Sequence, residues 1–254
     1  MIYFFTGAGL SAESGVPTFR DAGGHWQKFD PQVLADITTF EDNYDLVHEF
    51  YNSRRTVLES IKPNTAHEAI AKVEMSGNAF VMTTNVDDLL ERAGCKDVQH
   101  IHGNIREVVH GYRSGDERVE DIGYTEVDIT KFPVSSNEMC KPNVIFFGEH
   151  APEYESMFNT FTNITEDDLL IIIGCSETVL PAVAMASQSP KAKNVLFVNS
   201  DAQLCNAYKN HTNVTTFNCT ATKFFQDIKY QELAAFKHEK VYKLVQSKLL
   251  PTLL

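Results

Sequence analysis

A strand that runs directly into Gly7-Ala8-Gly9 constrains this chain more than any other stretch. Residues 2–5 are apolar, β-branched or aromatic, and Gly7, Gly9 and Ala12 stand at the spacing of G-x-G-x-x-G/A. That pattern reads as strand, tight turn and helix start, where backbone amides and a helix N-terminus can face a pyrophosphate. The same residues are also compatible with a strand-to-helix turn that binds nothing. An ordinary dinucleotide-binding unit places a second strand ending in an acidic residue about 20 positions on. Here that interval holds Asp21-Ala22-Gly23-Gly24-His25-Trp26, a Gly-broken loop that a strand does not tolerate.

The rest of the chain supplies the sheet that such a turn needs. The 254 residues allow one large α/β domain carrying a smaller one. Apolar residues recur at three and four from Leu46 to Ile61, predicting an amphipathic helix over 42–61 that ends at Pro63. Asn64 or Thr65 caps the next helix, with Glu68 three residues after Thr65 as the partner in a capping box. Residues 79–83 read as a strand, and Asn85-Val86-Asp87 as the acidic opening of a helix. Between 103 and 141 the periodicity fails and glycines interleave with charges, predicting an irregular inserted module in which 108–109 and 122–127 pair. Strands follow over 144–147, 169–173, 195–198 and 214–217, and a helix over 232–250. A continuous run such as Leu169-Leu170-Ile171-Ile172-Ile173 suits a parallel strand covered on both faces. The fold class is therefore α/β, a doubly wound parallel Rossmann-like sheet with a smaller inserted domain. Residues 1–30, 79–102 and 143–254 are assigned to the large domain, and 31–78 and 103–142 to the small one.

Charge and cysteine content narrow the function classes. Twenty-two basic against 34 acidic residues give a net charge of −12, the wrong sign for neutralising nucleic-acid phosphates. Cys95, Cys140, Cys175, Cys205 and Cys219 form no C-x-x-C pair, which fits free thiols in a reducing, cytoplasmic setting. No apolar run approaches the roughly 18 residues of a membrane span, so no membrane partner is expected. The oligomeric state stays open.

The residues from Gly7 to Arg20 resemble the GAGxSxxSGxPxFR signature of the sirtuins, NAD-dependent protein-lysine deacylases, and the resemblance continues to about Thr222. It implies NAD as cofactor and an acyl-lysine protein or peptide as partner. Gly7, Ala8, Gly9, Ser11 and Glu13 would belong to the phosphate-cradling loop, Phe19 would cover the nicotinamide end, and Arg20 would contact the cofactor. Thr83-Thr84-Asn85-Val86-Asp87 is similar to the family's TQN-I-D. Asn85 then orients the ribose and a water, Asp87 holds the nicotinamide amide, and Thr84 replaces a Gln that reaches a ribose hydroxyl. On residue type alone, Asn85 is equally a helix cap. Gly174-Cys175-Ser176 resembles the family GTS turn and Asn199-Ser200-Asp201 its N-x-E/D ribose site, while Cys219 falls where the family closes over adenine.

His102, beside Gly103 at the junction with the inserted module, takes the family's general-base role, leaving His100 structural or supporting. Phe147-Gly148-Glu149, with Val144 before it, resembles the segment that pairs with an extended substrate peptide. Tyr51 and Arg54 share a helix face, and with Ala35 they are similar to the residues of sirtuins that remove succinyl and malonyl groups. The bland alternative for that pair is a half-buried Tyr beside a snorkelling Arg. The module departs from zinc-bearing sirtuins, because His110 and Cys140 are two candidates for four ligand positions; no metal is expected. The products implied are nicotinamide, O-acyl-ADP-ribose and free lysine. An NAD glycohydrolase or ADP-ribosyltransferase, and a non-catalytic NAD or ADP-ribose binder motivated by Thr84, remain as alternatives.

Overall fold

The computed structural model describes residues 1–17, 34–189, 191–228 and 230–234. Phe19, Arg20 and the loop over 21–26 lie outside the described residues, as do residues 235–250 of the expected final helix. The first half contains β1 (Ile2–Thr6), α1 (Ala8–Ala12), α2 (Tyr44–Ser60), α3 (Thr65–Glu74), β2 (Ala79–Thr83), α4 (Leu89–Ala93), β3 (Val98–His100), β4 (Gly103–His110) and β5 (Arg118–Asp121). Then come β6 (Lys141–Val144), α5 (Glu153–Asn163), β7 (Leu169–Ile173), α6 (Ala182–Gln188), β8 (Val195–Asn199), α7 (Ala202–Tyr208), β9 (Val214–Asn218), α8 (Ala221–Asp227) and α9 (Tyr230–Ala234).

Six strands form one parallel sheet in the order β3-β2-β1-β7-β8-β9. The order reverses between β1 and β7, the point at which open α/β sheets bind ligands beyond the carboxyl ends of their strands. Alternation along each strand builds two cores. Ile2, Phe4, Ile171 and Leu196 face one helical layer, while Phe5, Met82, Ile172 and Phe197 face the other. Burial on both faces explains why these strands read as unbroken apolar runs.

A second, antiparallel sheet in the order β5-β4-β6 sits over α2 with its own core, which includes Phe40, Val47, Phe50, Tyr51, Ile105 and Phe146. Here the structure corrects two strand expectations. The strand near 144 is Lys141–Val144, and it pairs with β4 instead of joining the parallel sheet. The partner of Val108 and Val109 is 119–120, not the 122–127 segment. Apolar content alone does not reveal which sheet a short strand joins. The helix expected from Asn85 begins only at Leu89, because Asn85 N–H donates to Thr83 Oγ1 at 3.0 Å and Asp87 Oδ1 accepts from Leu89 N at 3.2 Å. Such local side-chain bonds compete with helical pairing. The capping box is built by Asn64 and His67, with no part for Glu68.

Backbones meet at the switch point. A Cβ on Gly9 would lie 2.6 Å from Gly174 Cα, and one on Gly174 would lie 2.6 Å from Gly9 Cα. Gly174 also has φ +66°, a left-handed conformation that costs other residues energy. Gly174→Ala is therefore expected to destabilise the fold by about 1–3 kcal/mol, read as a lower urea midpoint at unchanged m. An unchanged midpoint would show that the contact relaxes freely.

Candidate active site

The site grows from the carboxyl ends of β1, β2 and β7. Gly7 N donates to the Ile173 carbonyl at 2.9 Å and Gly9 N to the Gly174 carbonyl at 3.0 Å. These two amides are therefore spent within the fold. The glycines serve close approach: a Cβ on Gly7 would meet Gly174 O at 2.9 Å and Cys175 Cα at 3.0 Å. The exposed Ala8 and the intervening turn stay at the surface of this cradle. Glu13 closes one side, accepting from the Thr222 amide at 3.0 Å and the Thr222 hydroxyl at 2.6 Å.

Behind the turn lies a buried polar network. Asn85, 8% exposed, donates through Nδ2 to the Gly7 carbonyl and to Ser11 Oγ, each at 3.1 Å. Ser11 Oγ also lies 3.4 Å from His67 Nε2. His67 Nδ1 accepts from Asn64 N at 3.2 Å, which leaves Nε2 as the protonated nitrogen facing Ser11. Burial pushes His67 down to about 4, so the ring is neutral near pH 7. Asp87 is raised by burial, an effect opposed by the Ser11 hydroxyl, the Leu89 amide and the charge of His100. His67 was not singled out in the sequence; its place three residues after Asn64 was the available signal.

His102 stands next to this network. Its Nε2 is 3.1 Å from the Tyr154 hydroxyl, and burial lowers its pKa while a bond to the Thr84 backbone opposes that. Nothing in the sequence marked Tyr154. Thr84 Oγ1 donates to the Thr6 carbonyl at 3.2 Å, so the hydroxyl that replaces the expected Gln is turned back on β1. On the other side of the switch point, Ser176 is exposed and Asn199 Nδ2 holds the Cys175 carbonyl at 2.7 Å. Asp201 caps α7 through Gln203 N and Leu204 N, and Cys219 is half-buried after β9. These residues follow the carboxyl ends of β7, β8 and β9, on the same edge of the sheet as the Gly7–Gly9 turn.

The remaining expected residues lie on α2, on the loop at Ala35 and on the segment after β6. Tyr51, 5% exposed, stacks on Phe146 with centroids 6.0 Å apart. The Arg54 guanidinium lies 5.5 Å from the Phe50 ring. Burial lowers the Arg54 pKa, against the opposing influence of Tyr51 and Asp87, so the helix residue and the sheet-edge carboxylate sense each other. Phe147 N donates to the Ala35 carbonyl at 2.6 Å, and Ile37 N donates to the Phe147 carbonyl at 3.1 Å. Gly148 turns at φ +84°.

Glu149 points inward. Oε2 makes a 2.9 Å ion pair with Lys141 Nζ and accepts from Phe146 N, and Oε1 accepts from the Tyr112 hydroxyl. Lys141 Nζ also donates to the Val144 carbonyl at 2.6 Å, so two of the four expected peptide-contact residues, Val144 through its main chain and Glu149 through its side chain, meet one buried ammonium. His110 pairs with Glu120 at 2.8 Å, whereas Cys140 meets Tyr44 and His48, so the two metal candidates have separate partners. Among the described residues no three His, Cys, Asp or Glu side chains gather to hold a metal ion. Removing one member of a buried pair typically costs about 3–5 kcal/mol. Glu149→Ala is therefore expected to lower stability by that order in a denaturant titration. A parent-like midpoint would leave Glu149 as a surface contact only.

The Sir2 family profile matches residues 7–181. An NAD-dependent protein deacylase of Campylobacter jejuni is 40% identical, over 75% of this chain and 80% of its own. One from Helicobacter hepaticus is 35% identical, over 79% and 85% respectively. A solved Sir2 homologue in complex with NAD has a TM-score of 0.72 at 29% identity, covering 92% of this chain and 87% of the other. A Sir2 variant solved with deacetylated p53 peptide and 3'-O-acetyl ADP ribose has a TM-score of 0.69 at 26% identity, over 89% and 91%. From the length of the profile match and the identity to these relatives, this chain belongs to the Sir2 family.

Proposed function

We propose that this protein is an NAD-dependent protein-lysine deacylase that prefers succinyl- and malonyl-lysine to acetyl-lysine. One observation carries the reading: Asn85 bridges the glycine turn and Ser11 while the adjoining Thr84 backbone bonds His102. A base is thereby held one residue from the dinucleotide cradle, which a simple binder has no need of. In this reading the Gly7–Gly9 turn, Ser11, Glu13, Phe19 and Arg20 hold the phosphate and nicotinamide side, with Gly174, Ser176, Asn199, Asp201 and Cys219 on the adenosine side. The names of the relatives and the NAD-bound homologue support it. The five free thiols favour a cytoplasmic setting.

When bound, NAD supplies a carbon from which nicotinamide leaves and an ADP-ribose that accepts the acyl group. Asp87 would accept the carboxamide N–H of the nicotinamide, and Asn85 would orient ribose and water. His102 takes a proton at Nε2, the nitrogen beside Tyr154. Because burial lowers the His102 pKa, the lone pair is available at neutral pH and is lost only as pH falls below the usual value near 6.5. Arg54 takes the carboxylate of a succinyl or malonyl group through its planar fork, with Tyr51 beside it and Ala35 leaving room. A second reading, an NAD glycohydrolase, is favoured by Phe147, whose amide and carbonyl are already paired with Ala35 and Ile37.

His102→Ala is expected to lose deacylation by about 10² or more while NAD affinity, measured by calorimetry, stays near parental. Near-parental deacylation would remove His102 from the role. The parent is expected to show roughly tenfold to hundredfold higher kcat/KM on succinyl-lysine than on acetyl-lysine, narrowed or reversed in Arg54→Met. Equal rates in the parent, or an unchanged ratio in the variant, would leave Tyr51 and Arg54 as packing residues.

A further inference from the structure

His100 has no part in the chemistry described above, yet both of its ring nitrogens face acceptors. Nδ1 lies 3.0 Å from the Asn85 carbonyl oxygen and Nε2 lies 2.6 Å from Glu91 Oε1. A neutral imidazole has one donor nitrogen and one acceptor nitrogen, so it satisfies only one of these bonds; the imidazolium satisfies both. The ring is 12% exposed and cannot exchange either partner freely for water. The charged groups acting on it are Glu91, from α4, and Asp87, from the loop after β2; both are carboxylates. Burial pulls its pKa down, but the Glu91 bond and charge, the Asn85 carbonyl and Asp87 outweigh that and leave it raised.

We propose that His100 is a positioning residue held as an imidazolium, which clamps the Asn85 main chain and keeps the buried Asp87 ionised, so that its deprotonation disables the site at alkaline pH. The Asn85 side chain already spans the Gly7 carbonyl and Ser11; the His100 bond fixes the other end of the same residue. Asp87 is pushed up by burial, and the positive charge of His100 opposes that push. Loss of the charge therefore relaxes Asn85 and weakens Asp87 as an acceptor together.

The sign is opposite to that of His102, two residues on. A raised folded pKa means the clamp is complete below the ordinary value and lost as pH rises through the folded one. A lowered folded pKa means the His102 lone pair appears on the acid side. The two histidines thus bound a bell-shaped profile, with His102 setting the acid limb below about 6.5 and His100 the alkaline limb above it.

The activity arm rests on the deacylase reading, and the titration arm does not. In the parent protein, the imidazole resonances are followed by NMR against pH, with His100 assigned by its absence in His100→Gln. A midpoint above 6.5 is expected, and a midpoint at or below 6.5 overturns the proposal. In Glu91→Gln, the alkaline limb of kcat/KM with NAD and an acyl-lysine peptide is expected to move down by roughly one pH unit or more, with the acid limb in place. A uniform fall at all pH values, or an unmoved alkaline limb, overturns the positioning role and leaves His100 as packing. If the parent binds NAD but releases no lysine, the deacylase reading fails. The alkaline limb of NAD affinity, in parent and in Glu91→Gln, then decides the proposal by the same criterion.

Discussion

The contact on which the site depends is backbone against backbone, Gly9 on Gly174 across the point where the sheet reverses its order. Two chain segments that run to the same edge from β1 and β7 approach so closely that a methyl group on either would overlap main-chain atoms of the other. Hydrogen bonds from Gly7 and Gly9 lock the approach. No side chain is spent in bringing the turns together. The glycines are thus explained by packing first, and the cradle is a consequence of that packing.

From this contact the polar groups are ordered by a chain of satisfied bonds. Asn64 fixes the tautomer of His67, His67 faces Ser11, Ser11 meets Asn85 and Asp87, and the Asn85 main chain meets His100. Each member is buried or nearly so, and an unpaired polar group there would cost more than a surface bond returns. The network holds Asn85 and Asp87 together beyond the carboxyl end of β2. A second anchor, the Lys141–Glu149 pair, adjoins the segment carrying Phe147 and Gly148, whose backbone pairs with Ala35 and Ile37.

Much of this was legible in the chain itself. The unbroken apolar runs at 2–5 and 169–173 and the glycine spacing after β1 lead directly to the parallel sheet and its switch point. The motifs around Asn85, Asp87 and His102 read as strand ends, and the structure places them just beyond β2 and β3. What was not legible has a common cause: partners distant in sequence. Glu149 reads as part of a peptide-pairing segment, and its ion pair with Lys141, which the β4–β6 pairing brings beneath it, is not visible in the sequence. Val144 reads as a parallel strand because its apolar neighbours do not declare which sheet they join. Asn85 reads as a helix opening, but its bonds to Thr83 and Gly7 hold it out of the helix. Tyr154 carries no local signal, and its meeting with His102 depends on where α5 packs.

The central claim is that the cradle and the base act together to move an acyl group from lysine to ADP-ribose. Incubating the protein with NAD and a succinyl-lysine peptide, and identifying the products by mass spectrometry, tests it most directly. The account predicts free lysine peptide, nicotinamide and O-succinyl-ADP-ribose in equal amounts, each requiring both reactants. Free ADP-ribose formed at the same rate without peptide, and no acylated product with it, would contradict it.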